Sequence, residues 1–235
     1  MDERVRRTVE TYERVADTYE EIHGDRSVVA DIVEQFVTAV GRADTWTRAD
    51  GSDSTGPPRV LDVGCGPGWE SAAFAEAGFE VVPFDLTRSF LGQARERVPE
   101  ATPVRGDMRA LPFADGGFDG LWACASLLHV PEREVPGTLA EFERALADGG
   151  VTVVSLKAAG TDDEAAAGTA GGGDRAGVDR SPYDDDRRHF ERYGPDRVRE
   201  LFANAGFEVV SVETDDGDGT GSEDAWVAVT ARAGD

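Results

Sequence analysis

The chain has 235 residues, of which 47 are acidic and 24 basic, so its formal net charge is −23. This length suits one domain with or without a small appendage, and a hydrophobic content of 40% is enough to build its core. No apolar run is long enough to span a membrane, and residues 1–5 lack the apolar core of a secretory signal. The two cysteines, Cys65 and Cys124, fit a reducing compartment. Composition therefore predicts a cytoplasmic globular protein, with no structural disulfide and no membrane insertion.

Lysine is nearly absent from the chain. Lys157 is the only lysine among the 24 basic residues, and the others are arginines. A large negative charge combined with this lack of lysine favours a halophilic protein, adapted to high internal salt, over an ordinary acidic cytosolic one. At molar salt, charges are screened over about 3 Å, so self-repulsion is small while carboxylates keep the surface hydrated. Such a charge says little about partners, although it disfavours a nucleic-acid substrate.

The N-terminal section, residues 1–57, is predicted to contain two helices and an acidic linker. Apolar residues recur at helical spacing over residues 2–23 and again over 27–40, so each stretch has one apolar face. Residues 43–58 are polar, rich in Asp, Gly and Ser, and end in two prolines, which is typical of a linker.

In the second section, residues 58–235, strands and helices alternate. Such βαβ alternation predicts a parallel sheet with helices on both faces. Near the end, two strands follow each other without a helix between them, which predicts an antiparallel hairpin at one sheet edge. The strand-like runs are 60–63, 80–84, 102–104, 118–123, 151–156, 207–213 and 225–231, and the helical stretches are 70–77, 89–97, 132–147 and 196–205.

One long segment of this section, at about 158–189, is predicted to be a mobile acidic loop. Its centre, residues 161–186, is of low complexity and dominated by Asp, Gly and Ala. Residues 187–190, Arg-Arg-His-Phe, interrupt the acidic tract. Pairing of the two arginines with aspartates 184–186 is the simpler interpretation, and recognition of a substrate is the alternative.

A glycine-rich turn connects the first strand of this section to the following helix. Residues 61–70 read Leu-Asp-Val-Gly-Cys-Gly-Pro-Gly-Trp-Glu. Such a turn lets a ligand press against backbone that carries no side chains. A dinucleotide fingerprint needs its third glycine at position 69, which is Trp69 here. A glycine-rich turn alone is often only a tight connection, but with the preceding Val-Leu-Asp-Val it indicates a cofactor site.

Two further acidic residues follow the next two strands. Asp85 ends the second strand, where a carboxylate can accept two hydrogen bonds from a ribose diol. The alternative is that Asp85 only caps the helix that begins near Thr87, although Thr87 can cap that helix itself. Asp107 and Met108 follow the third strand, where a carboxylate and a thioether suit an adenine ring. Without the other two segments, this third one would indicate only a turn.

Together these three segments resemble the class I S-adenosylmethionine-dependent methyltransferases, particularly the small-molecule branch that includes enzymes of ubiquinone and menaquinone biosynthesis. The resemblance extends from about Tyr12 to the C-terminus and is most specific over residues 60–71. It implies an α/β fold with a doubly wound, Rossmann-like sheet of seven strands in the order 3-2-1-4-5-7-6, the last strand being antiparallel. It also implies S-adenosylmethionine as the cofactor and S-adenosylhomocysteine as the product.

The resemblance further implies which residues bind this cofactor. The glycine turn and Asp62 would hold the methionine moiety, with Asp62 facing its ammonium group, and the N-terminal helices would cover the cofactor as a lid. Phe84 departs from the small residue that often precedes the ribose-binding acid. The implied cofactor-binding residues are Tyr19, Asp62, Gly64, Cys65, Gly66, Gly68, Asp85, Leu86, Asp107, Met108 and Ala125.

His129, after the fourth strand, is the candidate catalytic residue. It is one of three histidines in the chain, with His23 and His189. The ordinary pKa range of histidine suits a general base. A structural role is equally compatible with its position, and methyl transfer needs no base when the acceptor is already a thiolate, carbanion or neutral amine.

The function predicted from these observations is transfer of a methyl group, by in-line displacement, to a small-molecule acceptor. Methylation of tRNA or protein on the same fold is one alternative, and a non-catalytic protein that only binds S-adenosylmethionine is another. A nicotinamide-dependent oxidoreductase is disfavoured by Trp69. No metal site is predicted, and the protein is expected to be a monomer or a homodimer.

The net charge of −23 predicts that salt stabilises the protein. Added potassium or sodium chloride screens self-repulsion, so the melting temperature should rise up to molar concentrations. Thermal melts across a salt series measure this, and a melting temperature that stays flat or falls would argue against the halophilic interpretation.

Overall fold

A mixed sheet runs through the chain, and helices cover both of its faces. The computed structural model describes residues 2–41, 46–47, 53–54, 56–159, 181–215 and 225–234. The helices are α1 (Glu3–His23), α2 (Ala30–Gly41), α3 (Trp69–Glu76), α4 (Arg88–Arg97), α5 (Val135–Ala145) and α6 (Pro195–Asn204). The strands are β1 (Trp46–Thr47), β2 (Asp53–Ser54), β3 (Arg59–Val63), β4 (Glu80–Asp85), β5 (Val104–Arg105), β6 (Phe118–Cys124), β7 (Leu146–Ala158), β8 (Arg192–Tyr193), β9 (Glu208–Asp215) and β10 (Trp226–Arg232). Within this described part of the chain, every helix is too short or too polar to cross a membrane.

The order of the strands confirms the predicted topology. The sheet runs β5-β4-β3-β6-β7-β10-β9, and β10 is antiparallel to both of its neighbours. Counted without the two-residue strand β8, this is the order 3-2-1-4-5-7-6 with the last strand antiparallel. The strand β8 was not predicted, because two residues carry no periodic signal. It pairs with Lys157 and Ala158 of β7, beyond the point where β6 ends.

Strand β7 begins earlier than the sequence predicts. The helix expected to continue to residue 147 ends at Ala145, and Leu146 already pairs with Phe118 of β6. The register then shifts, so that Gly120 pairs with Val151. Glycines at the start of the strand hid it from a pattern search, since they interrupt the apolar run.

Two predictions about irregular segments need correction. The segment predicted as a linker contains β1 and β2, which pair antiparallel with Trp46 opposite Ser54. Of the loop predicted to be mobile, residues 160–180 lie outside the described residues, whereas residues 181–189 pack against α1. Tyr183 is 6% exposed, and its hydroxyl lies 3.0 Å from His23 Nε2. This end of the loop is therefore part of the packed structure.

The core lies on both faces of the sheet, as the βαβ alternation predicts. On one face, the rings of Phe36 from α2 and Phe74 from α3 pack against Trp122 of β6, with centroids 5.0–5.5 Å apart. On the other face, Leu139 of α5 and Phe202 of α6 belong to a larger buried cluster. Because both faces are covered, a ligand site is left to the edge where the parallel strands end.

Helix α1 lies across that edge and is attached to the start of α4. The Glu13 carboxylate accepts hydrogen bonds from the backbone N–H groups of Arg88 and Ser89, at 2.7 and 3.0 Å, and from Ser89 Oγ at 2.6 Å. Thr87, at the N-cap position of α4, makes no capping bond with its own side chain. Glu13 therefore caps α4 from another helix. A salt bridge between Arg97 and Glu20 fixes the far end of the same interface.

Replacing Glu13 by alanine should lower the free energy of unfolding by about 0.5–2 kcal/mol, the usual effect of losing a helix cap. Burial raises the pKa of Glu13, but hydrogen bonds from Ser89 and Arg88 lower it further, so the net pKa is below its usual value. The stabilisation is therefore present above the unfolded-state pKa of about 4.5 and is lost as pH falls through the lower folded-state pKa.

Urea unfolding of the Glu13→Ala variant and the wild-type protein, from pH 7 downwards, measures both effects. Glu21→Ala is the matched control, since Glu21 is an exposed residue of the same helix. A stability difference that does not shrink at acid pH would contradict the capping role of Glu13.

Candidate active site

A cavity opens at the carboxyl ends of β3, β4 and β6, under α1. Nine residues singled out from the sequence line it, although they come from five separate segments of the chain. The strand ends bring them together because parallel strands all end at the same edge. These residues are Tyr19, Gly64, Gly66, Asp85, Leu86, Asp107, Met108, Ala125 and His129.

Three predicted residues, Asp62, Cys65 and Gly68, are not among the residues that line this cavity. Asp62 is 2% exposed and accepts a hydrogen bond from Ser71 Oγ at 2.5 Å, and burial raises its pKa to about 8. The Cys65 thiol is buried as well. A Cβ at Gly68 would lie 2.9 Å from the Cβ of Ala94 in α4. Gly68 thus lets α4 pack against the turn, and contacts of these three residues with a cofactor stay predictions.

The glycine turn approaches the loop after β6 closely. Gly64 has a φ of +74°, and a Cβ there would lie 2.3 Å from the Cβ of Ser126. The Ser126 hydroxyl donates to the Val63 carbonyl at 2.7 Å, which joins the two strand ends. Only glycine meets both conditions, so the backbone of the turn forms one wall of the cavity without a side chain in the way.

Asp85 is bonded to two different turns. Its Oδ2 accepts from the Gly66 N–H at 3.0 Å, and its Oδ1 accepts from the Thr87 N–H at 2.7 Å. The helix-capping alternative raised from the sequence is thus partly realised, alongside a bond to the glycine turn. The Thr87 side chain and the Leu86 N–H also hydrogen-bond this carboxylate, and Asp85 lines the cavity. Burial raises the pKa of Asp85 above its usual value.

Asp107 is held by an arginine that the sequence reasoning missed. Arg109 Nε and Nη2 donate to the two carboxylate oxygens of Asp107 at 2.9 and 2.6 Å, and Arg109 also pairs with Glu134. Burial raises the pKa of Asp107, but the bonds from Arg109 lower it further, so the net pKa is below its usual value. The spacing Asp-x-Arg was visible in the sequence, yet nothing in it indicated a bidentate pair.

Phe84 fits beside the cavity because position 106 is glycine. A Cβ on Gly106 would lie 2.6 Å from two atoms of the Phe84 ring. The ring also packs edge-on against Phe113, with centroids 5.7 Å apart. The large residue that departs from the family pattern is therefore accommodated by a small one on the neighbouring strand.

Ala125 lies at the end of β6 in a strained conformation. Its φ of 51° is unusual for a residue with a Cβ, and such strain is found mainly where function requires it. The Ala125 N–H donates to both the carbonyl and the hydroxyl of Ser155, at 3.2 and 3.0 Å. These bonds hold the backbone turned toward the cavity.

His129 and Tyr12 form a hydrogen-bonded pair across the cavity. The Tyr12 hydroxyl lies 2.9 Å from His129 Nε2, and His129 Nδ1 lies 2.6 Å from the His189 carbonyl oxygen. Burial lowers the pKa of His129 to about 3, so the ring is neutral at working pH. Tyr12 lies within the first predicted helix, and nothing in the sequence connected it with a residue on another element.

Trp69, which breaks the dinucleotide pattern, is a contact point for the N-terminal section. The Tyr19 ring stacks on it, with centroids 5.9 Å apart, and the Arg26 guanidinium lies 5.0 Å from its centroid. Arg26 also pairs with the buried carboxylate of Glu70 at 2.7 Å. Tyr19 therefore joins α1 to the glycine turn in addition to lining the cavity.

The fold and the site together define a class of protein: a doubly wound α/β domain with a glycine turn after its first strand and an acidic residue after its second. Two solved structures share this fold closely. One is a Burkholderia thailandensis 1,6-didemethyltoxoflavin-N1-methyltransferase with bound 1,6-didemethyltoxoflavin and S-adenosylhomocysteine. It has a TM-score of 0.70 and 18% identity, covering 98% of this chain and 88% of that one. The other is the [4+2]-cyclase SpnF, with a TM-score of 0.70 and 17% identity over 96% of this chain and 95% of that one.

One stretch of the chain matches a known protein family. Residues 60–150 match the family described as a methyltransferase domain. Demethylmenaquinone methyltransferase of Renibacterium salmoninarum is 35% identical over 125 residues, which is 52% of this chain and 52% of that relative. The chain thus spans about half the length of the curated relative it matches. Over this stretch the chain is similar to methyltransferases.

The contact between Phe84 and Gly106 can be tested by a double-mutant cycle. Gly106→Ala should destabilise the protein by about 1–3 kcal/mol, because the added methyl overpacks against the ring. In a Phe84→Leu background the same change should be less destabilising, with a coupling of about 0.5–3 kcal/mol.

Chemical denaturation of the four proteins measures this coupling. Gly92→Ala in α4 is the matched control, since a Cβ at Gly92 meets no atom within 4 Å. Additive effects of the two substitutions would show that Phe84 does not depend on Gly106.

Proposed function

We propose that the protein transfers a methyl group from S-adenosylmethionine to a small molecule. The observation that carries this proposal is the Asp85 carboxylate, which the Gly66 and Thr87 amides hold at the cavity wall. It stands beside a side-chain-free glycine turn, in a chain whose residues 60–150 match a methyltransferase domain.

The residues of the cavity fit the parts of this cofactor. Asp85 would accept the ribose hydroxyls, Leu86 and Met108 would contact the adenine, and Asp107 would accept from its amine. Arg109 already occupies part of the Asp107 carboxylate, which keeps that group ionised and fixed in place. When bound, S-adenosylmethionine supplies an electrophilic methyl carbon, whose bond to sulfur breaks with the electron pair staying on sulfur as the acceptor's lone pair forms the new bond.

Asp62 lies behind the glycine turn and would act on the cofactor's ammonium group through its charge. Burial raises the pKa of Asp62 to about 8, so burial disfavours its charged form. A cation placed nearby stabilises a carboxylate. An ammonium group at the turn would therefore favour the ionised form of Asp62, and the two charges would hold each other.

A small acceptor suits this site better than a macromolecule. Helix α1 covers the cavity, and Val5, Val9 and Val130 give it apolar walls. The relative from Renibacterium salmoninarum and the Burkholderia thailandensis enzyme are both named for small-molecule acceptors. The net charge of −23 also opposes binding to nucleic acid.

The N-terminal section acts, in this proposal, as a lid over the cofactor. Its helix α1 contributes Tyr12 and Tyr19 to the cavity, so this helix would contact a cofactor bound there. Lids of this kind exclude water while the reaction proceeds. Cytoplasmic location and a monomeric or homodimeric state complete the proposal.

A second candidate function comes from the fold comparison. SpnF, which shares the fold over 96% of this chain, is named as a cyclase. The same fold can therefore serve another reaction, or bind the cofactor without methyl transfer. Labelled methyl transfer from S-adenosylmethionine into fractionated extract of the source cells separates the possibilities. Tight cofactor binding with no labelled product in any fraction would favour the second candidate.

Asp85→Ala should weaken binding of S-adenosylmethionine by about a hundredfold, or about 2.7 kcal/mol, because two charge-assisted hydrogen bonds to the ribose are lost. Titration calorimetry measures the affinity, and thermal melts show whether the variant remains folded, since Asp85 also bonds Gly66 and Thr87.

The matched control is Asp148→Ala, which removes the same charge at an exposed position near the start of β7. It should bind the cofactor like the wild-type protein. Wild-type affinity in Asp85→Ala itself would overturn the placement of the ribose.

A further inference from the structure

The protonation of the Tyr12–His129 pair follows from its hydrogen bonds. The His189 carbonyl can only accept, so His129 Nδ1, 2.6 Å away, must carry a proton. The ring is neutral, since burial lowers the pKa of His129 to about 3. Its Nε2 therefore carries a lone pair, and the Tyr12 hydroxyl 2.9 Å away must donate to it.

This direction of donation decides what Tyr12 can offer to a ligand. Its proton points at His129, so its oxygen presents lone pairs and can only accept further bonds. Arg188 Nη1 donates a hydrogen bond to this oxygen at 3.4 Å, which leaves one lone pair for a ligand. The ring is held on its other sides by Phe90 and Tyr19, with centroids 5.3 and 5.5 Å away. The oxygen is thus fixed as a hydrogen-bond acceptor beside the cavity that Tyr12 lines.

The surroundings of His129 make it a poor proton acceptor. Its Nε2 lone pair already receives the Tyr12 hydroxyl. Its charged neighbours and titratable contacts are Arg188 and His189 from the segment before α6, Lys157 from β7, and Tyr12 from α1. A proton added to the ring would face the positive charges of Arg188 and Lys157. His129 is therefore suited to orient Tyr12 and not to serve as a general base.

The cavity around the Tyr12 oxygen is mainly apolar. Val5 and Val9 of α1 lie on one side of it, and Phe90 and Val130 belong to the same lining. A ligand seated there loses its water and must be apolar over most of its surface. Beside Tyr12, a polar atom of this ligand is satisfied by donating a hydrogen bond to the Tyr12 oxygen.

We infer that Tyr12 receives the methyl acceptor, and that the acceptor is a compact, apolar molecule whose reacting atom carries an O–H or N–H group. Tyr12 accepts that hydrogen bond and orients the reacting lone pair, and His129 is a positioning residue that acts through Tyr12. The proton that the acceptor loses on methylation passes to solvent. This inference rests on the proposed methyltransferase function.

The first test needs no acceptor. Nitrogen NMR of the ¹⁵N-labelled protein should show His129 as the neutral tautomer with the proton on Nδ1 throughout pH 5.5–8. In Tyr12→Phe the tautomer should persist, while the Nε2 signal moves to that of a nitrogen without a hydrogen bond. Tyr183→Phe is the matched control, because it removes a hydroxyl that is bonded to His23 instead. A proton on Nε2, or a charged ring near pH 6.5, would overturn the inference.

The second test uses phenol and anisole as probes, which differ in one O–H group. In protein saturated with S-adenosylhomocysteine, NMR titration should show that phenol binds about tenfold more tightly than anisole, the effect of one hydrogen bond. Tyr12→Phe should remove this preference, and Tyr183→Phe should retain it. Equal binding of the two probes to the wild-type protein would overturn the inference.

Variants of His129 separate positioning from base catalysis. The amide oxygen of glutamine can still accept from Tyr12, so His129→Gln should keep much of the phenol preference that His129→Leu loses. In labelled methyl transfer into an extract, His129→Gln should likewise be faster than His129→Leu. Equal losses of 10²–10⁴-fold in both variants, with the wild-type rate falling at acid pH, would establish His129 as the base.

These outcomes are distinct from failure of the proposed function. If the wild-type protein binds neither S-adenosylmethionine nor S-adenosylhomocysteine, the proposed function is wrong, whatever the NMR shows. If it binds them and the probes do not discriminate, only the role of Tyr12 is wrong. Melting curves and S-adenosylhomocysteine affinity show for each variant that the fold is intact.

Discussion

The site depends on one buried carboxylate. Asp85 bonds the glycine turn through Gly66 and the start of α4 through Thr87, so a single side chain sets the distance between two turns that belong to different strands. Backbone N–H groups buried without partners are costly, and these two point at a charge that the surrounding protein disfavours. The two N–H groups and the carboxylate therefore stabilise one another. The carboxylate that we expect to bind the ribose thus also shapes the wall on which the ribose would lie. For this reason the sequence supports both interpretations of Asp85, as a ribose-binding residue and as a helix cap.

The cover of the cavity is attached by contacts of the same kind. Glu13 places a second carboxylate at the start of α4, where it bonds the N–H groups of Arg88 and Ser89, next to the Thr87 N–H that Asp85 bonds. The positive end of that helix stabilises both carboxylates. Farther along α1, Arg97 pairs with Glu20, and Tyr19 stacks on Trp69. Between these points the helix presents Tyr12 to the cavity. Polar contacts of Glu13 and Glu20 thus fix the helix to α4. The residues of the helix that line the cavity are mainly aromatic and apolar. A ligand can therefore pack against these residues while the polar contacts with α4 stay in place.

Much of the fold, and the meeting of the residues after the parallel strands at one cavity, could be predicted because their signals are local. The glycine turn, Asp85 and Asp107 each stand directly after a strand, and parallel strands end together, so the order of segments predicts that these residues meet. The part of the cavity that Tyr12 and His129 line could not be predicted in this way. Tyr12 and His129 are 117 positions apart, and whether they touch depends on how α1 crosses the sheet edge. The accommodation of Phe84 by Gly106 likewise joins two strands, and neither residue shows in the sequence that it needs the other.

The contact of Arg26 with Trp69 affects how strongly salt weakens the attachment of the N-terminal section to the glycine turn. Arg26 pairs with Glu70, a contact that dissolved ions weaken, but its guanidinium also lies over the indole, 5.0 Å from the ring centroid. A guanidinium is weakly hydrated and planar, and part of its attraction to a ring is dispersion, which electrolyte does not screen. A lysine ammonium is compact and strongly hydrated, and would lose most of its hold on the same ring in brine. The use of arginine in place of lysine thus gives this attachment a contact that persists from dilute buffer to concentrated salt.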